Sequence, residues 1–446
     1  PSYHLPDEGD ISGLSNYTTI LGATKVVGST SSGINYGLIG AVTDEERALV
    51  TSNNEIKNII VEPQTKYSIG RIEFPVINNI SKFGIMGTNV SRKDTIGSSV
   101  IGGDWDISYL DNRLFSTGQI IRSNSNNIIG QAFRFNLGYV DPVWWSARFW
   151  YGTYDNQFSI NDLGFLRRND MSWTGGRIEL RKQEPWGKFI NNNIQLKYTQ
   201  EWNGEGVALG KEIDIEQDNL FFNYWKFGFF GKLFLPAYND EDIFRDESAW
   251  VYQTELWGYA GPSFNTDRRK KIVIGANIGS GYGKNRGKGY RINLWTKIKP
   301  IKQLNMEINA MQDKSPSHMQ WVDILKMTND TIRVYANSEL ITRDLTLRLD
   351  WTFSPKLTMQ CYAQPFYANM DYKSFFRLEN PNTMDLEPYN YQNINDYENP
   401  DFRLLNIIGT FVLRWEYRSG STIYLVYNFN QNNEFSFSEN KWNSGE

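Results

Sequence analysis

The chain has 446 residues, of which 15% are aromatic, and yet its mean hydropathy is −0.51. Its 46 basic and 50 acidic residues leave a net charge of −4, so the charge balance does not favour a nucleic-acid partner. Cys361 is the one cysteine, which excludes a disulfide framework, and no apolar run approaches the roughly 20 residues of a transmembrane helix. Many aromatic residues in a polar chain without apolar runs are typical of a transmembrane β-barrel, in which lipid-facing and lumen-facing residues alternate.

Alternating apolar and polar residues predict long strands along the chain. The alternation is clear in four stretches, 133–139, 194–202, 345–353 and 411–418. In 345–353 every odd position is apolar and every even position is polar, which places the two sets on opposite faces of a strand. The strands predicted around these stretches run for about 9–13 residues, the length that a tilted strand needs to cross a bilayer, whereas strands of soluble proteins are about 5–6 residues long.

The connections between these strands fall into a short and a long class, as in an up-and-down outer-membrane barrel. The sequence predicts about 22 strands, with a range of 20 to 24, because 318–343 could hold one long strand or two. We expect an N-terminal extension at 1–17, the barrel at 18–430 and an incomplete C-terminal segment at 431–446. Short connections are predicted at 110–112, 141–143, 354–356 and 419–420, and long ones near 44–64, 155–169, 237–249 and 371–401.

The alternation also predicts which residues face lipid and which face the lumen. The outward set in one strand is Leu345, Leu347, Leu349, Trp351 and Phe353. The predicted lumen-facing residues carry both signs of charge, whereas an ion-selective pore favours rings of one sign. A mixed interior fits a channel for neutral solutes or a lumen filled and braced by ion pairs. The lumen-facing set is Asp104, Asp106, Arg134, Arg348, Asp350, Arg414 and Glu416.

Several segments resemble a known family. They include 19–25, 36–46, 352–358, 362–366 and 413–421. Together they resemble a large family of Bacteroidota outer-membrane β-barrels of unassigned function, in which a carbohydrate-binding-type β-sandwich usually precedes the barrel. The sandwich, the strand that normally precedes Leu21 and the apolar terminal strand are missing here, which suggests truncated ends. The family has no established catalytic residues to carry over.

The segment 371–401 is the best candidate for recognition in the sequence. It mixes aromatic and asparagine side chains, which can stack on sugar rings and hydrogen-bond their hydroxyl groups, and connections of this length are often functional. The alternative is that the aromatic residues fold inward as a packed lid or plug. The predicted ligand or partner contacts are Tyr372, Phe375, Phe376, Tyr389, Tyr391 and Tyr397.

The residues therefore favour a porin-like channel or transporter for small solutes such as oligosaccharides, in the outer membrane of a Gram-negative bacterium. The alternative is a structural subunit of an outer-membrane complex whose loops dock partner proteins, such as surface lipoproteins. Catalysis is not expected, because the only histidines are His4 and His318, and Ser315 and Ser317 beside His318 are a common turn composition. No cofactor or metal is expected, and the expected partners are the bilayer and possible oligosaccharides.

Overall fold

A computed structural model describes residues 10–12, 18–52, 55–77, 80–240, 251–283, 287–315, 318–327, 331–380, 385–394 and 399–436. Within these residues the fold is all-β, with one 3-10 turn at Tyr391–Asn393 and no α-helix. Twenty-two of the described strands belong to an antiparallel up-and-down sheet, which confirms the predicted strand number and arrangement. In the described part of the chain no helix has the length and hydrophobicity that spanning a bilayer requires.

The chain divides into two compact units. Unit 1 comprises residues up to 178 together with 199–208, and unit 2 comprises 179–198 and the residues from 209 onward. The strands of unit 1 are β1 (Asp10–Ser12), β2 (Ile20–Ser29), β3 (Asn35–Thr43), β4 (Glu46–Ser52), β5 (Glu55–Glu62), β6 (Thr65–Pro75), β7 (Lys82–Arg92), β8 (Ser98–Tyr109), β9 (Leu114–Ser125), β10 (Ile128–Val140) and β11 (Trp145–Tyr154).

Three strands contribute residues to both units, namely β12 (Met171–Lys182), β13 (Phe189–Asn203) and β14 (Ala208–Phe221). The remaining strands lie in unit 2, where β27 continues beyond residue 430. They are β15 (Lys226–Phe234), β16 (Tyr238–Asn239), β17 (Tyr252–Gln253), β18 (Trp257–Asn265), β19 (Ile272–Gly283), β20 (Gly287–Ile298), β21 (Leu304–Lys314), β22 (His318–Lys326), β23 (Thr331–Ser354), β24 (Leu357–Asn380), β25 (Asp385–Pro388), β26 (Phe402–Arg418) and β27 (Ser421–Ser436).

The strand register gives unit 1 one polar face and one apolar face. Directly paired residues of neighbouring strands lie on the same side of a sheet. Asp104 pairs with Gln119, and Gln119 pairs with Arg134, so these side chains share the polar face. On the other face, Ile101 and Ile120 are 59% and 61% exposed, so their side chains are not buried against any of the described residues.

Unit 2 has the same two-faced organisation. Arg348 pairs with Glu307 on β21 and with Tyr362 on β24, which defines the polar face. Leu347 lies one residue away and pairs with Ile308 and Ala363 on the apolar face. The two residue sets of β23 therefore lie on opposite faces of the sheet.

Connections differ in length between the two ends of the strands in each unit. At one end, called the turn end, unit 1 has connections at 30–34, 76–81, 110–113 and 141–144, and unit 2 has them at 222–225, 266–271, 299–303, 355–356 and 419–420. The opposite end, called the loop end, carries the longest connections. These are 44–64 and 155–170 in unit 1, and 235–256, 315–330 and 381–401 in unit 2.

Two strands of unit 2 extend far beyond their neighbours. β21 pairs with residues 341–351 of β23, and β26 pairs with residues 357–370 of β24, so 331–340 and 371–380 project past the loop end. Ten residues of strand correspond to about 33 Å. Strands β22 and β25 pair with the projecting parts, giving a four-stranded extension that we call the head.

The head corrects the predicted connection at 371–401. Residues 371–380 belong to β24, and 381–401, which includes the short strand β25, leads from β24 to β26. It also resolves 318–343, which holds the short strand β22 and the first half of the long strand β23. The sequence left open whether 318–343 holds one strand or two, and the structure has two strands there. It missed the continuation of β24 through 371–380, because Phe375 of that part joins Val334 and Tyr391 in a core whose members are far apart in sequence.

Candidate functional site

The polar face of unit 1 places the predicted residues Asp104, Asp106 and Arg134 together. Both Nη atoms of Arg71 donate hydrogen bonds to the Asp104 carboxylate, at 2.7 and 2.8 Å. Asp106 follows Asp104 at the next position of the same face, and Arg134 is reached through Gln119. Opposite charges thus brace this face across strands.

The predicted residues of unit 2 also share the polar face. Asp350 accepts a hydrogen bond from Gln360 at 3.2 Å, and the Arg348 guanidinium lies 5.4 Å from the ring centre of Tyr362. Arg414 forms an ion pair with Glu416 at 3.4 Å, two residues along the same strand. The register places Arg348, Asp350, Arg414 and Glu416 on one face of the sheet, and that this face lines a lumen stays a prediction.

The aromatic residues predicted as ligand or partner contacts lie in the head. Phe375 and Tyr391 are buried, with ring centres 5.1 Å apart, in a core that also contains Ile332, Val334 and Ala336. Tyr372 and Tyr389 pack against this core. Phe376 pairs with Tyr335 on the opposite side of the head, and Tyr397 lies outside the described residues.

This arrangement gives the buried aromatic residues a packing role. The Tyr391 hydroxyl donates a hydrogen bond to Asp323 at 2.8 Å, so the 3-10 turn is fastened to β22. A buried tyrosine hydroxyl needs such a partner, and here it has one. Contact between the 371–401 segment and a ligand or partner remains a prediction.

In unit 1 the connection 155–170 folds over the polar face. Phe158 is buried and stacks on Tyr154 with ring centres 5.4 Å apart. Its backbone lies so close to Gly130 that a Cβ atom there would be 2.3 Å from the Phe158 Cα atom. The Ser159 amide donates to the Ser123 hydroxyl at 3.1 Å. We call residues 155–170 the inward loop.

Charge also holds the inward loop. Asp162 of the loop forms an ion pair with Arg92, which lies on the polar face of β7 and is 9% exposed. Arg92 also lies 3.5 Å from the Glu62 carboxylate, which is almost fully buried. Breaking one member of a buried charge cluster leaves an uncompensated charge, so this cluster fixes the position of the loop. Between the loop and the strands lies a cavity of 240 Å³, lined in part by Arg71, Asp104, Ile160 and Leu163.

Unit 2 carries a row of aromatic side chains on its polar face. Phe234 and Trp257 are stacked, with ring centres 4.1 Å apart and an interplanar angle of 5°. Tyr259 lies 6.0 Å from Trp257, and Phe230 lies 6.2 Å from Tyr259. We call these four residues the aromatic strip. They lie near the loop end of β15 and β18.

The aromatic strip has charged side chains on one side and glycine residues, which present no side chain, on the other. Lys232, 5.2 Å from the Phe234 ring centre, forms ion pairs with Glu212 at 2.8 Å and Asp214 at 3.3 Å. Tyr259 pairs with Gly281, and Gly281 pairs with Gly289, so the adjoining strands present no side chain beside the ring. Half-buried rings beside carboxylates and an open floor can stack on a sugar ring and hydrogen-bond its hydroxyl groups.

Sequence reasoning missed the aromatic strip because 226–234 carries aromatic residues on both faces. One signal was present at Trp257 and Tyr259, which alternate with Gly258 and Ala260 rather than with polar residues. Large rings alternating with very small residues indicate a face that is neither a uniform lipid face nor a charged face. The register of β15 with β14 then assigns the rings to the side of Asp214.

The described residues contain no group of three or more histidine, cysteine, aspartate or glutamate side chains placed to hold a metal ion. No curated protein matches the chain. A family described as "Domain of unknown function (DUF5916)" matches residues 2–444, which is nearly the whole sequence. The chain therefore belongs to the DUF5916 family.

Proposed function

We propose that this protein is an outer-membrane β-barrel of a Gram-negative bacterium, related to Bacteroidota barrels, and that it conducts small solutes such as oligosaccharides. One observation carries the proposal. The sheet exposes an extended apolar face on one side while it concentrates charged and amide side chains on the other. Such an exposed apolar area exceeds what monomeric soluble proteins tolerate, and a bilayer would cover it.

The length of the strands and the asymmetry of their ends support a membrane location. Most of the strands that run from the turn end to the loop end have 9–17 residues, enough to cross a bilayer when tilted. In outer-membrane barrels short turns face the periplasm and long loops face outward. By this rule the turn end is periplasmic, and the head and the aromatic strip lie toward the outside.

The polar face would line the lumen. In unit 1 the inward loop would narrow the path, because it lies over that face and is fixed there by Arg92 and Asp162. In unit 2 the aromatic strip would receive a solute entering from the loop end. A sugar is apolar on the face of its ring and polar at the edge, where its hydroxyl groups lie. The rings of the aromatic strip can stack on the apolar face, and the nearby carboxylates and the Lys232 amine can hydrogen-bond the hydroxyl groups.

Single-channel recording tests this function. The full-length protein is reconstituted in planar bilayers, and maltohexaose is added as the probe. We expect discrete conductance steps and brief blockades, and Trp257→Ala should shorten the blockades by up to about tenfold through lost ring stacking. Trp415→Ala, on the apolar face and 50% exposed, is the matched control. A protein that fails to insert, or inserts without conductance, overturns the proposal.

The head favours a second candidate, a structural subunit that docks partner proteins. It projects about 33 Å past the strand ends and has its own core, as expected of a rigid platform. The predicted partners are outer-membrane or surface lipoproteins, which the loop end of a barrel would meet.

The register allows a clean test of this candidate. Lys314 pairs with Ile341, and Met370 pairs with Phe402, so 315–340 and 371–401 can each be replaced by a two-residue turn. Affinity purification from native membranes compares the headless variant with the intact chain. Loss of co-purifying proteins with an unchanged conductance supports docking, and an unchanged set of proteins contradicts it.

A further inference from the structure

A basic cavity of 630 Å³ lies on the polar face of unit 2, at the turn end. It is distant from the aromatic strip. Arg268 in the cavity wall donates a hydrogen bond to Asn265, which is six residues, or about 20 Å, along β18 from Tyr259. Five cations and one carboxylate line it, in a protein whose net charge is −4. The charged lining residues are Arg268, Lys270, Lys297, Lys299, Arg348 and Glu307.

The strand register explains why these charges gather. Lys297 on β20 pairs with Glu307 on β21, and Glu307 pairs with Arg348 on β23, so three neighbouring strands place them at one level. The turn 266–271 adds Arg268 and Lys270 from the side. Lys297 is in ion-pair contact with Glu307, so the single carboxylate is already engaged within the cavity wall.

The neighbouring turn residues are also arranged to leave cationic charge at the cavity. Asp267 accepts hydrogen bonds from the Arg269 guanidinium at 2.9 Å, and this arginine holds the pKa of the Asp267 carboxyl down to about 2. The carboxylate of the turn therefore accepts its side-chain hydrogen bonds from Arg269, and Lys270 adds a weaker electrostatic contribution. The cavity consequently has an excess of positive charge, which a bound anion would offset.

A ring-binding surface adjoins the cations. Trp295 lies flat across Gly275, where a Cβ atom would be only 2.1 Å from the indole ring. The Arg268 guanidinium is 5.9 Å from that ring centre. Asn309 pairs with both Trp295 and Thr346, so an amide and a hydroxyl lie beside the indole. The wall thus offers an aromatic face, neutral hydrogen-bonding groups and guanidinium groups together.

We propose that this cavity binds an acidic saccharide, a sugar bearing a carboxylate. The inference deepens the proposed function, on which it rests, by naming the solute class at a second site. A guanidinium can bind a carboxylate through two parallel hydrogen bonds, the indole can stack on the sugar ring, and Asn309 and Thr346 can meet its hydroxyl groups. A phosphate group would satisfy the same cations, and the test separates the two.

Calorimetric titration of the full-length protein in detergent tests the site without requiring conduction. The probes are trigalacturonate, maltotriose and inorganic phosphate. We expect trigalacturonate to bind at least about tenfold more tightly than maltotriose, and more weakly as KCl rises. The double variant Lys299→Gln/Arg348→Gln should lose at least about tenfold in trigalacturonate affinity. Arg134→Gln on the polar face of unit 1 should lose none, because it does not line the cavity.

The remaining outcomes decide between ligand chemistries. Trp295→Ala should weaken trigalacturonate and leave phosphate unchanged, because only the sugar has a ring to stack. Phosphate binding as tightly as trigalacturonate overturns the saccharide assignment, and equal losses in Arg134→Gln and the double variant overturn the site. Retained heat-modifiable migration on gels establishes that each variant is folded. A bilayer without conductance but with intact acidic-sugar binding would overturn only the channel function.

Discussion

Replacing Leu347 with arginine tests which face of the sheet meets lipid. Leu347 lies near the middle of the β21–β23 ladder and pairs with Ile308 and Ala363. Arginine at the bilayer midplane on a lipid face costs about 2–4 kcal/mol in barrel folding. Because about 1.4 kcal/mol corresponds to a factor of ten, the folded-to-unfolded ratio should fall by about 30-fold to 700-fold.

The matched control is Gln360→Arg on the polar face. Gln360 donates a hydrogen bond to Asp350 at 3.2 Å, so an introduced guanidinium would find a carboxylate within reach. Its folding free energy should stay close to that of the unmodified protein. Both variants are unfolded by urea in lipid vesicles, and the folded fraction is read from heat-modifiable migration on gels.

The comparison has one outcome that refutes the reasoning. Equal losses in the two variants, or a larger loss for Gln360→Arg, would mean that the apolar face of β23 does not meet lipid. Leu347→Ala guards against a simple packing effect. It removes apolar contacts without adding charge, so it should cost much less than Leu347→Arg.

Three further predictions concern the inward loop, the head and the turn 266–271. Gly130→Ala should displace the inward loop, which should raise both the conductance and the protease cleavage within 155–170. Gly22→Ala is the control and should change neither, because a Cβ atom at Gly22 would meet nothing within 4 Å. Unaltered cleavage in Gly130→Ala would contradict the packing of the loop against Gly130. Phe375→Ala should reduce the stability of the head by about 3–5 kcal/mol, because it removes a buried ring from the core of the head. Hydrogen exchange should accelerate in 372–378 while β21 stays protected. Uniform acceleration in both would argue against a separate core. Asp267→Asn should destabilise the protein at pH 6 but not near pH 2. A carboxyl group whose pKa is lowered in the folded state stabilises the fold above its ordinary pKa of about 3.9, and this stabilisation is lost as the pH falls through about 2. A difference in urea midpoint between the variant and the unmodified protein that persists at pH 2 would contradict this.

The sheet could be predicted from the sequence because period-2 alternation is a local property. In 345–353 the polarity of each residue indicates the face of the strand on which it lies, and the register of β23 with β21 and β24 agrees. The head could not be predicted in this way. Its core joins Val334, Phe375 and Tyr391, which are far apart in sequence, so no single window contains the pattern.

The candidate sites were also beyond the reach of alternation. Lys297, Glu307 and Arg348 meet only because three strands share a register, and a shift of one residue would place Arg348 on the other face. Phe158 was within a predicted long connection, but nothing in 155–169 indicated that the segment folds over the polar face. Composition identifies which residues are available, whereas the pairing of strands decides which of them meet.

The core of the head also has a kinetic consequence. Tyr391 bonds to Asp323 across 68 residues of chain, whereas β23 and β24 meet through a turn at 355–356. A hairpin that zips from this turn must pair nearly all of its length before Ala336 reaches Phe375. Contacts of high sequence separation form late because closing long loops costs entropy. Completion of the head would therefore indicate that the β23–β24 hairpin, the longest among the described strands, has closed in the correct register.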